Sequence, residues 1–151
     1  MQEKDTSECQ AGETVLQDKN LNLKIKFLFT VDKQGTVKQW DHENCKLVQD
    51  WGRLVEGTDK NGIFYGGIDS LICNKDGRFL YFFYYQTSSG FHLKHFCVNT
   101  RALIKDYGKI HDDGDNYLDR LKISSDGKFL FTYGDTSLKQ WEISTEDGSL
   151  S

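Results

Sequence analysis

The chain has 151 residues, of which 37% are hydrophobic and 13% aromatic, which is enough for one packed domain and excludes a disordered chain. A net charge of −4 and scattered basic residues argue against nucleic acid or an anionic membrane as the main partner, because phosphate binding needs concentrated Lys and Arg. The N-terminus is polar and no apolar run is long enough to cross a bilayer. We therefore expect a cytoplasmic protein without a membrane span or a secretion signal.

The cysteines are far apart in the sequence, with no Cys-x-x-Cys pair and no His at zinc-finger spacing. A disulfide framework is typical of smaller, secreted chains with a poorer core. We therefore interpret Cys9, Cys45, Cys73 and Cys97 as reduced thiols.

The first part of the chain predicts a tail and a truncated unit. Residues 1–12 are polar and aperiodic, which indicates a mobile tail. Residues 14–18 resemble the later segments 47–52 and 103–108, and we interpret all three as the same strand of a repeat. Residues 27–31 and 36–41 are rich in strand formers and flank a turn with Gly35, so they predict a β-hairpin. Only residues 21–25 remain for an innermost strand, so the first unit, 13–52, is predicted to be truncated.

Two fuller units follow. The second, residues 53–108, has a glycine-rich loop, a short strand at 68–73, and a hairpin of 79–85 with 91–98. The third, residues 109–151, begins with an acidic loop and repeats the short strand at 118–123 and the hairpin around Gly134. This third unit is predicted to end after its third strand.

Three aromatic residues mark the repeat. Trp40, Phe96 and Trp141 occupy equivalent places at intervals of about 50 residues, a period typical of stacked four-stranded sheets. The sequence has no proline, and it shows neither helix-period stripes nor heptads. These observations predict an all-β fold of stacked antiparallel sheets.

The third unit carries a family resemblance. Residues 108–111 look like the Gly-His element of WD40 repeats, and Trp141 with Glu142 looks like their terminal Trp-Asp. The chain therefore resembles the WD40 repeat family, which implies an incomplete WD40-like β-propeller of about three four-stranded antiparallel blades, the first truncated. The resemblance also implies a structural hydrogen-bonded network, whose members would be His111, Thr132, Asp135 and Trp141, with Trp40 as the counterpart in the first unit.

An arc of about three blades leaves apolar faces uncovered at both ends, and large exposed patches of that kind usually mark an interface. The isolated N-terminal strand at 14–18 is in the phase of propeller ring closure. We therefore expect either that copies self-associate or that the chain belongs to a larger propeller with further blades.

Catalytic and metal-binding motifs are missing from the sequence. There is no Gly-x-Ser-x-Gly, phosphate loop or dinucleotide fingerprint, and no cofactor is expected. His92 and His95 are three apart on a predicted strand, so they should point to opposite faces and not share a metal ion. The acidic segment 112–116 lacks the calcium-loop spacing.

The resulting functional prediction is a non-catalytic protein-interaction scaffold, not an enzyme. Aromatic and Arg residues in loops are the usual anchors of protein recognition. Our candidates are Trp51, Arg53, Phe64, Tyr65, Tyr107, Asp113 and Asp115. Two alternatives stay open: a purely structural propeller fragment, and a fragment of a propeller-type enzyme whose active residues lie elsewhere.

Overall fold

The computed structural model describes residues 27–32, 35–54, 71–86, 90–111, 120–133 and 137–151. These residues form three small antiparallel sheets, so the predicted all-β partial propeller is confirmed. Within the described ranges no helix is long and apolar enough to cross a membrane.

The sheets follow one another along the chain. The first sheet consists of β1 (Phe27–Val31), β2 (Thr36–Asp41) and β3 (Lys46–Arg53). The second consists of β4 (Leu71–Cys73), β5 (Phe79–Gln86), β6 (Gly90–Cys97) and β7 (Leu103–His111). The third consists of β8 (Arg120–Ile123), β9 (Phe129–Tyr133) and β10 (Leu138–Glu142). Each sheet is a meander, since neighbouring strands are consecutive in the sequence.

The register shows that the sheets are copies of one unit. Each marker aromatic lies opposite an equivalent leucine, as Trp40 pairs with Leu28, Phe96 with Leu80, and Trp141 with Leu130. A shift by one residue would turn every side chain to the other face, so the shared register gives equivalent residues the same direction in all three sheets.

Strand β5 separates two hydrophobic cores. Its side chains alternate between faces, as in any strand. Phe79, Tyr81 and Phe83 pack with Leu121 and Leu130 of the third sheet. The residues in between, Leu80, Phe82 and Tyr84, pack with Val37 and other side chains of the first sheet. The second sheet is therefore buried on both faces. We call its interface with the first sheet the first seam and its interface with the third sheet the second seam.

The outer strands β3 and β7 carry the same bulge. The pairing of Val37 with Gly52 and of Lys38 with Asp50 skips Trp51, and the pairing of Leu93 and Lys94 with β7 skips Tyr107 in the same way. Gly52 and Gly108 have φ values of 69° and 66°, a conformation that glycine adopts without steric cost. Trp51 consequently packs against Phe96, and Tyr107 packs against Trp141 of the next sheet.

A turn after β10 joins the third sheet to the second. Residue Ile143 forms an isolated bridge with Leu150, so a short pairing continues beyond the third strand of this unit. The Tyr81 hydroxyl donates to the carbonyl oxygen of Gly148 at 2.6 Å, and the Leu150 N–H donates to the Tyr107 hydroxyl at 2.8 Å. Arg78 Nη2 donates to the carbonyl oxygen of Thr145 at 2.6 Å. We call residues 144–150 the latch.

The cysteine prediction is wrong at one position. Cys97 is disulfide-bonded, whereas Cys45 and Cys73 are free thiols. Cys9 lies outside the described residues. Disulfides persist mainly in oxidising compartments, so the cysteines do not support the predicted cytoplasmic location, which stays a prediction.

Several predicted segments cannot be compared with the structure. The tail at 1–12, the strand at 14–18 and the stub at 21–25 lie outside the described residues. The short strands predicted at 68–73 and 118–123 are observed from Leu71 and from Arg120 onward. The division of the chain at 13–52, 53–108 and 109–151 remains a proposal.

Candidate functional site

A cleft of about 660 Å³ opens at one end of the first seam. It lies at the end of β3, beside the middle of β7 and the first half of β6. Its wall from the first sheet is formed by Arg53 and Leu54. Its wall from the second sheet is formed by Tyr84, His92, Lys94, Asp106, Tyr107 and Gly108. We call this the seam cleft.

Two cations and one carboxylate determine its charge. Lys94 Nζ lies 3.9 Å from Asp106 Oδ2 and 5.6 Å from the centre of the Tyr84 ring. The other oxygen of Asp106 accepts the N–H of Gly108 at 2.8 Å, which fixes the carboxylate on its own strand. Arg53 lines the opposite wall. Among the described lining residues the two cations outnumber the carboxylate, which favours an anionic ligand.

His92 is the histidine of the cleft. Its ring stacks on Tyr84 with the ring centres 5.5 Å apart. Burial lowers the pKa of His92 below its usual value, and the lysines Lys94 and Lys109 lower it further, while Asp106 opposes them. At neutral pH the imidazole is thus mostly uncharged and able to accept a proton. Burial raises the pKa of Tyr84 to about 12, so its hydroxyl stays protonated.

The corresponding end of the second seam contains a hydrogen-bonded network. His111 Nε2 lies 2.9 Å from Thr132 Oγ1, and its Nδ1 lies 2.6 Å from Ser137 Oγ. Trp141 Nε1 donates to Thr132 Oγ1 at 3.0 Å. Lys139 Nζ donates to the carbonyl oxygen of Ile110, which bridges the two sheets.

The structure places the predicted network residues as follows. His111, Thr132 and Trp141 lie together in the second seam, while Trp40 lies on the first sheet and donates to Thr30 Oγ1 at 2.9 Å. Asp135 lies outside the described residues.

The predicted binding residues are distributed more widely. Arg53 and Tyr107 line the seam cleft. Trp51 lies within the first seam, where its Nε1 donates to Gln39 Oε1 at 3.0 Å and its ring meets Phe29 at a centre distance of 5.6 Å. The remaining candidates, Phe64, Tyr65, Asp113 and Asp115, lie outside the described residues.

Sequence reasoning selected Tyr107 but missed the other residues of the second-sheet wall. Tyr84, His92 and Lys94 are in phase with the buried residues Leu80, Phe82 and Phe96, and they face the same seam. The alternation of side chains along each strand assigns these positions to the core. Polar residues at such positions are unusual, and this signal could have identified them from the sequence. His92 and His95 do lie on opposite faces of β6, since His95 packs against Tyr81 in the second seam.

No protein-family model matches the chain, and no curated protein sequence matches it. Solved structures do share its fold. A protein from Bacteroides uniformis, provisionally assigned as a 6-phosphogluconolactonase, is 16% identical with a TM-score of 0.55, covering 83% of this chain and 35% of that one. A Bacteroides fragilis protein with the same provisional assignment is 19% identical with a TM-score of 0.56, covering 83% and 34%. The dihydro-haem d1 dehydrogenase NirN is 15% identical with a TM-score of 0.50, covering 84% and 23%.

These structures correct two predictions. The WD40 assignment is wrong, because the matching structures are not WD40 proteins and no family model supports it. The WD40-like motif residues were found in the third unit only. The other evidence was a repeat of short antiparallel strands, which is common to other propellers. The prediction that the chain is not an enzyme is also contradicted, since the matching structures have enzyme names.

At 15–19% sequence identity, the similarity to these solved structures shows the fold alone. The chain spans about a third of the length of the first two solved structures that it matches. The three sheets are therefore a segment of a β-propeller fold, shared with proteins that have enzyme names.

Proposed function

We propose that the chain is part of a propeller-type enzyme and that the seam cleft binds its substrate. The observation that carries this proposal is the juxtaposition of His92 with Lys94 and Arg53 in one cleft between two sheets. Clefts between packed elements with a few convergent polar groups are the usual form of small-molecule sites. The observed fold, shared with proteins that have enzyme names, supports the same assignment.

The reaction class we propose is hydrolysis of a phosphorylated sugar lactone. The cations of the cleft suit a phosphate or carboxylate group, with Arg53 able to bind two oxygens at once. His92, with its lowered pKa, accepts a proton from a water molecule as that water adds to the lactone carbonyl carbon. The ring C–O bond then breaks, and the leaving oxygen takes the proton back from the imidazolium. The product is the open-chain hydroxy acid.

The proposal predicts how single substitutions change the activity. The probe is 6-phosphogluconolactone, and the measurement is acid release above the spontaneous rate at neutral pH. His92→Phe keeps the stacking on Tyr84 but removes the base, so we expect a loss of about a hundredfold in kcat. Lys94→Met should mainly raise KM, because it removes an attractive charge while keeping the length of the side chain.

The matched controls lie away from the cleft. His42→Phe changes an exposed histidine, and Lys46→Met changes a lysine at the opposite end of β3 from Arg53. Both should keep the activity of the unmodified chain. The proposal is overturned if the lactone is not hydrolysed above the spontaneous rate, or if the control variants lose as much activity as the cleft variants.

A further inference from the structure

Three equivalent leucines differ sharply in burial. Leu80 and Leu130, on β5 and β9, are 0% exposed, because each faces the sheet that precedes its own. Leu28 occupies the same place on β1, opposite Trp40, and is 57% exposed. The first sheet therefore exposes the face that, in the other two sheets, is covered by the preceding sheet.

This outer face of the first sheet, which we call the leading face, includes Leu28, Thr30 and Trp40, together with Lys38 opposite Thr30. Its polar centre also repeats a covered one. Trp40 donates to Thr30 Oγ1 at 2.9 Å, and the buried Thr132 accepts from Trp141 at 3.0 Å in the same way. The leading face thus has the chemistry of a seam surface without a described sheet lying against it.

The outer face of the third sheet is of the opposite kind. It includes Phe129, Phe131, Tyr133 and Leu138, and we call it the trailing face. It also carries Lys122, Gln140 and Glu142, which lie opposite the two phenylalanines. Phe129, Phe131 and Tyr133 are the equivalents of Phe79, Tyr81 and Phe83, which pack against the next sheet. Leu138 lies opposite Tyr133 and is 68% exposed, the largest value among the exposed large hydrophobic residues of the described part.

The two seams show that a trailing face and a leading face fit together. In the first seam Phe29 and Val31, on the trailing side of the first sheet, pack with Leu80 and Phe82 on the leading side of the second. We propose that the trailing face of one copy of this chain binds the leading face of a second copy, so that copies associate head to tail through a third seam. The surfaces lie outside the seam cleft, so this inference does not depend on the proposed function.

Such a contact is heterologous, because two different patches meet. It differs in this respect from a contact in which one face binds the same face of the second copy.

The test is the mass of the chain in solution, measured by light scattering over a range of concentrations. The chain has a mass of 17.4 kDa, and the proposal expects this value to double as the concentration rises. Leu28→Glu and Leu138→Glu should each weaken association by at least about tenfold, because a carboxylate facing an apolar surface loses its hydration. Leu103→Glu is the matched control, since Leu103 is 37% exposed but lies on the outer strand of the second sheet.

A mixing experiment identifies the kind of contact. The Leu28→Glu variant keeps an intact trailing face, and the Leu138→Glu variant keeps an intact leading face. Neither should associate alone, yet their mixture should form a complex of one copy of each. Both leucines are exposed, so folding should be preserved, which circular dichroism checks.

Two outcomes overturn the proposal. One is an unmodified chain that stays at its monomer mass at every concentration, which would leave these faces to further sheets of a longer chain. The other is a mixture of the two variants that remains monomeric while the unmodified chain dimerises, which would indicate a symmetric contact.

Discussion

The two seams are built from the same repeat, yet among the described residues the second is bridged by side-chain hydrogen bonds at one end, while the first contains a cleft at the corresponding end. Lys94 and Lys139 are equivalent, as Lys94 pairs with Phe82 and Lys139 with Thr132. Lys139 reaches across the second seam to the carbonyl oxygen of Ile110. Lys94 turns instead to Asp106 of its own sheet, at 3.9 Å. The first seam consequently has no such lysine bridge within the described residues.

The residue opposite each lysine explains the difference. Thr132 has a hydroxyl that joins His111 to Trp141, and this fixes the outer strand of the second sheet against the third. The equivalent Phe82 can only pack, and it stacks on Tyr84 with the ring centres 5.5 Å apart. The hydroxyl-centred network of the second seam therefore depends on threonine at this position, where the first seam has phenylalanine. The predictions below test this contrast.

The largest effect is expected at the latch over the second seam. A Cβ added at Gly148 would lie 2.5 Å from Phe79 Cδ2, and the φ of Gly148 is +69°. Gly148→Ala should lower the free energy of unfolding by roughly 3 kcal/mol or more, from overlap and backbone strain together. Urea unfolding followed by tryptophan fluorescence measures it.

Gly52→Ala is the matched control for this variant. Gly52 also has a φ of +69°, but nothing lies within 4 Å of an added Cβ. Only the strain of about 1–2 kcal/mol should remain. Equal losses in the two variants would show that the latch does not press on the second seam.

The second effect is a pH dependence that originates in the second seam. His95 is 0% exposed, with its ring 5.0 Å from Tyr81 and 5.2 Å from Phe79, and neither ring nitrogen has a hydrogen-bond partner in the described residues. Burial lowers the pKa of His95 from 6.5 to about 4, with Asp147 opposing and Lys105 adding to the shift.

Between these two pKa values the unfolded chain binds a proton that the folded chain does not. The free energy of unfolding should therefore be highest above about pH 6.5. It should fall as the pH is lowered towards 4, by up to about 1.4 kcal/mol per pH unit. His95→Leu should flatten this slope and raise the melting temperature, because it removes two unsatisfied polar atoms. The exposed His42→Leu serves as the control, and an unchanged slope in His95→Leu would contradict the assignment.

The third effect concerns the network that closes the second seam. Thr132→Val keeps the shape of the side chain but leaves His111 and Trp141 without their shared oxygen, so we expect a loss of about 2 kcal/mol in chemical unfolding. Thr30→Val removes the equivalent hydroxyl on the exposed leading face and should cost about 0.5 kcal/mol. If Thr30→Val lowered the free energy of unfolding more than Thr132→Val, the hydroxyl on the exposed face would matter more than the buried one, which would contradict this prediction.

The smallest effect compares the equivalent lysines directly. Lys139→Met should cost about 1 kcal/mol, because it removes a charge-assisted bond between two sheets. Lys94→Met should cost under about 0.5 kcal/mol, since its ion pair is long and Asp106 is half exposed. Comparable losses in thermal unfolding would show that both lysines hold their seams together.

The strands were predictable because they depend on local chemistry. Runs such as residues 27–31 and 129–133 combine aromatic and β-branched residues and are each followed by a turn with glycine, and the structure places strands there. The equivalence of Trp40, Phe96 and Trp141 also followed from the sequence, since each lies opposite the same leucine of its unit. The WD40 assignment was wrong because it inferred one family from a few motif residues and a strand pattern, and several propeller families share that pattern.

The candidate site was only partly predictable. Arg53 and Tyr107 follow conspicuous outer strands, so sequence reasoning selected them. His92, Lys94 and Asp106 lie on strands, where polar residues are ordinarily assigned to a solvated face. Whether a polar residue on a strand faces solvent or a neighbouring sheet depends on the packing of the second sheet between the other two, which no local pattern reveals.

The sequence by itself determined that this protein is a repeat of short antiparallel strands, because alternation, turn glycines and marker aromatics act over a few neighbouring residues. Only the tertiary structure decided which faces became buried, which seam closed and where the charged residues converged. Those outcomes depend on contacts between residues far apart in the chain, such as Lys139 with Ile110 and Trp51 with Phe96. Their energies arise only once the sheets have packed against one another.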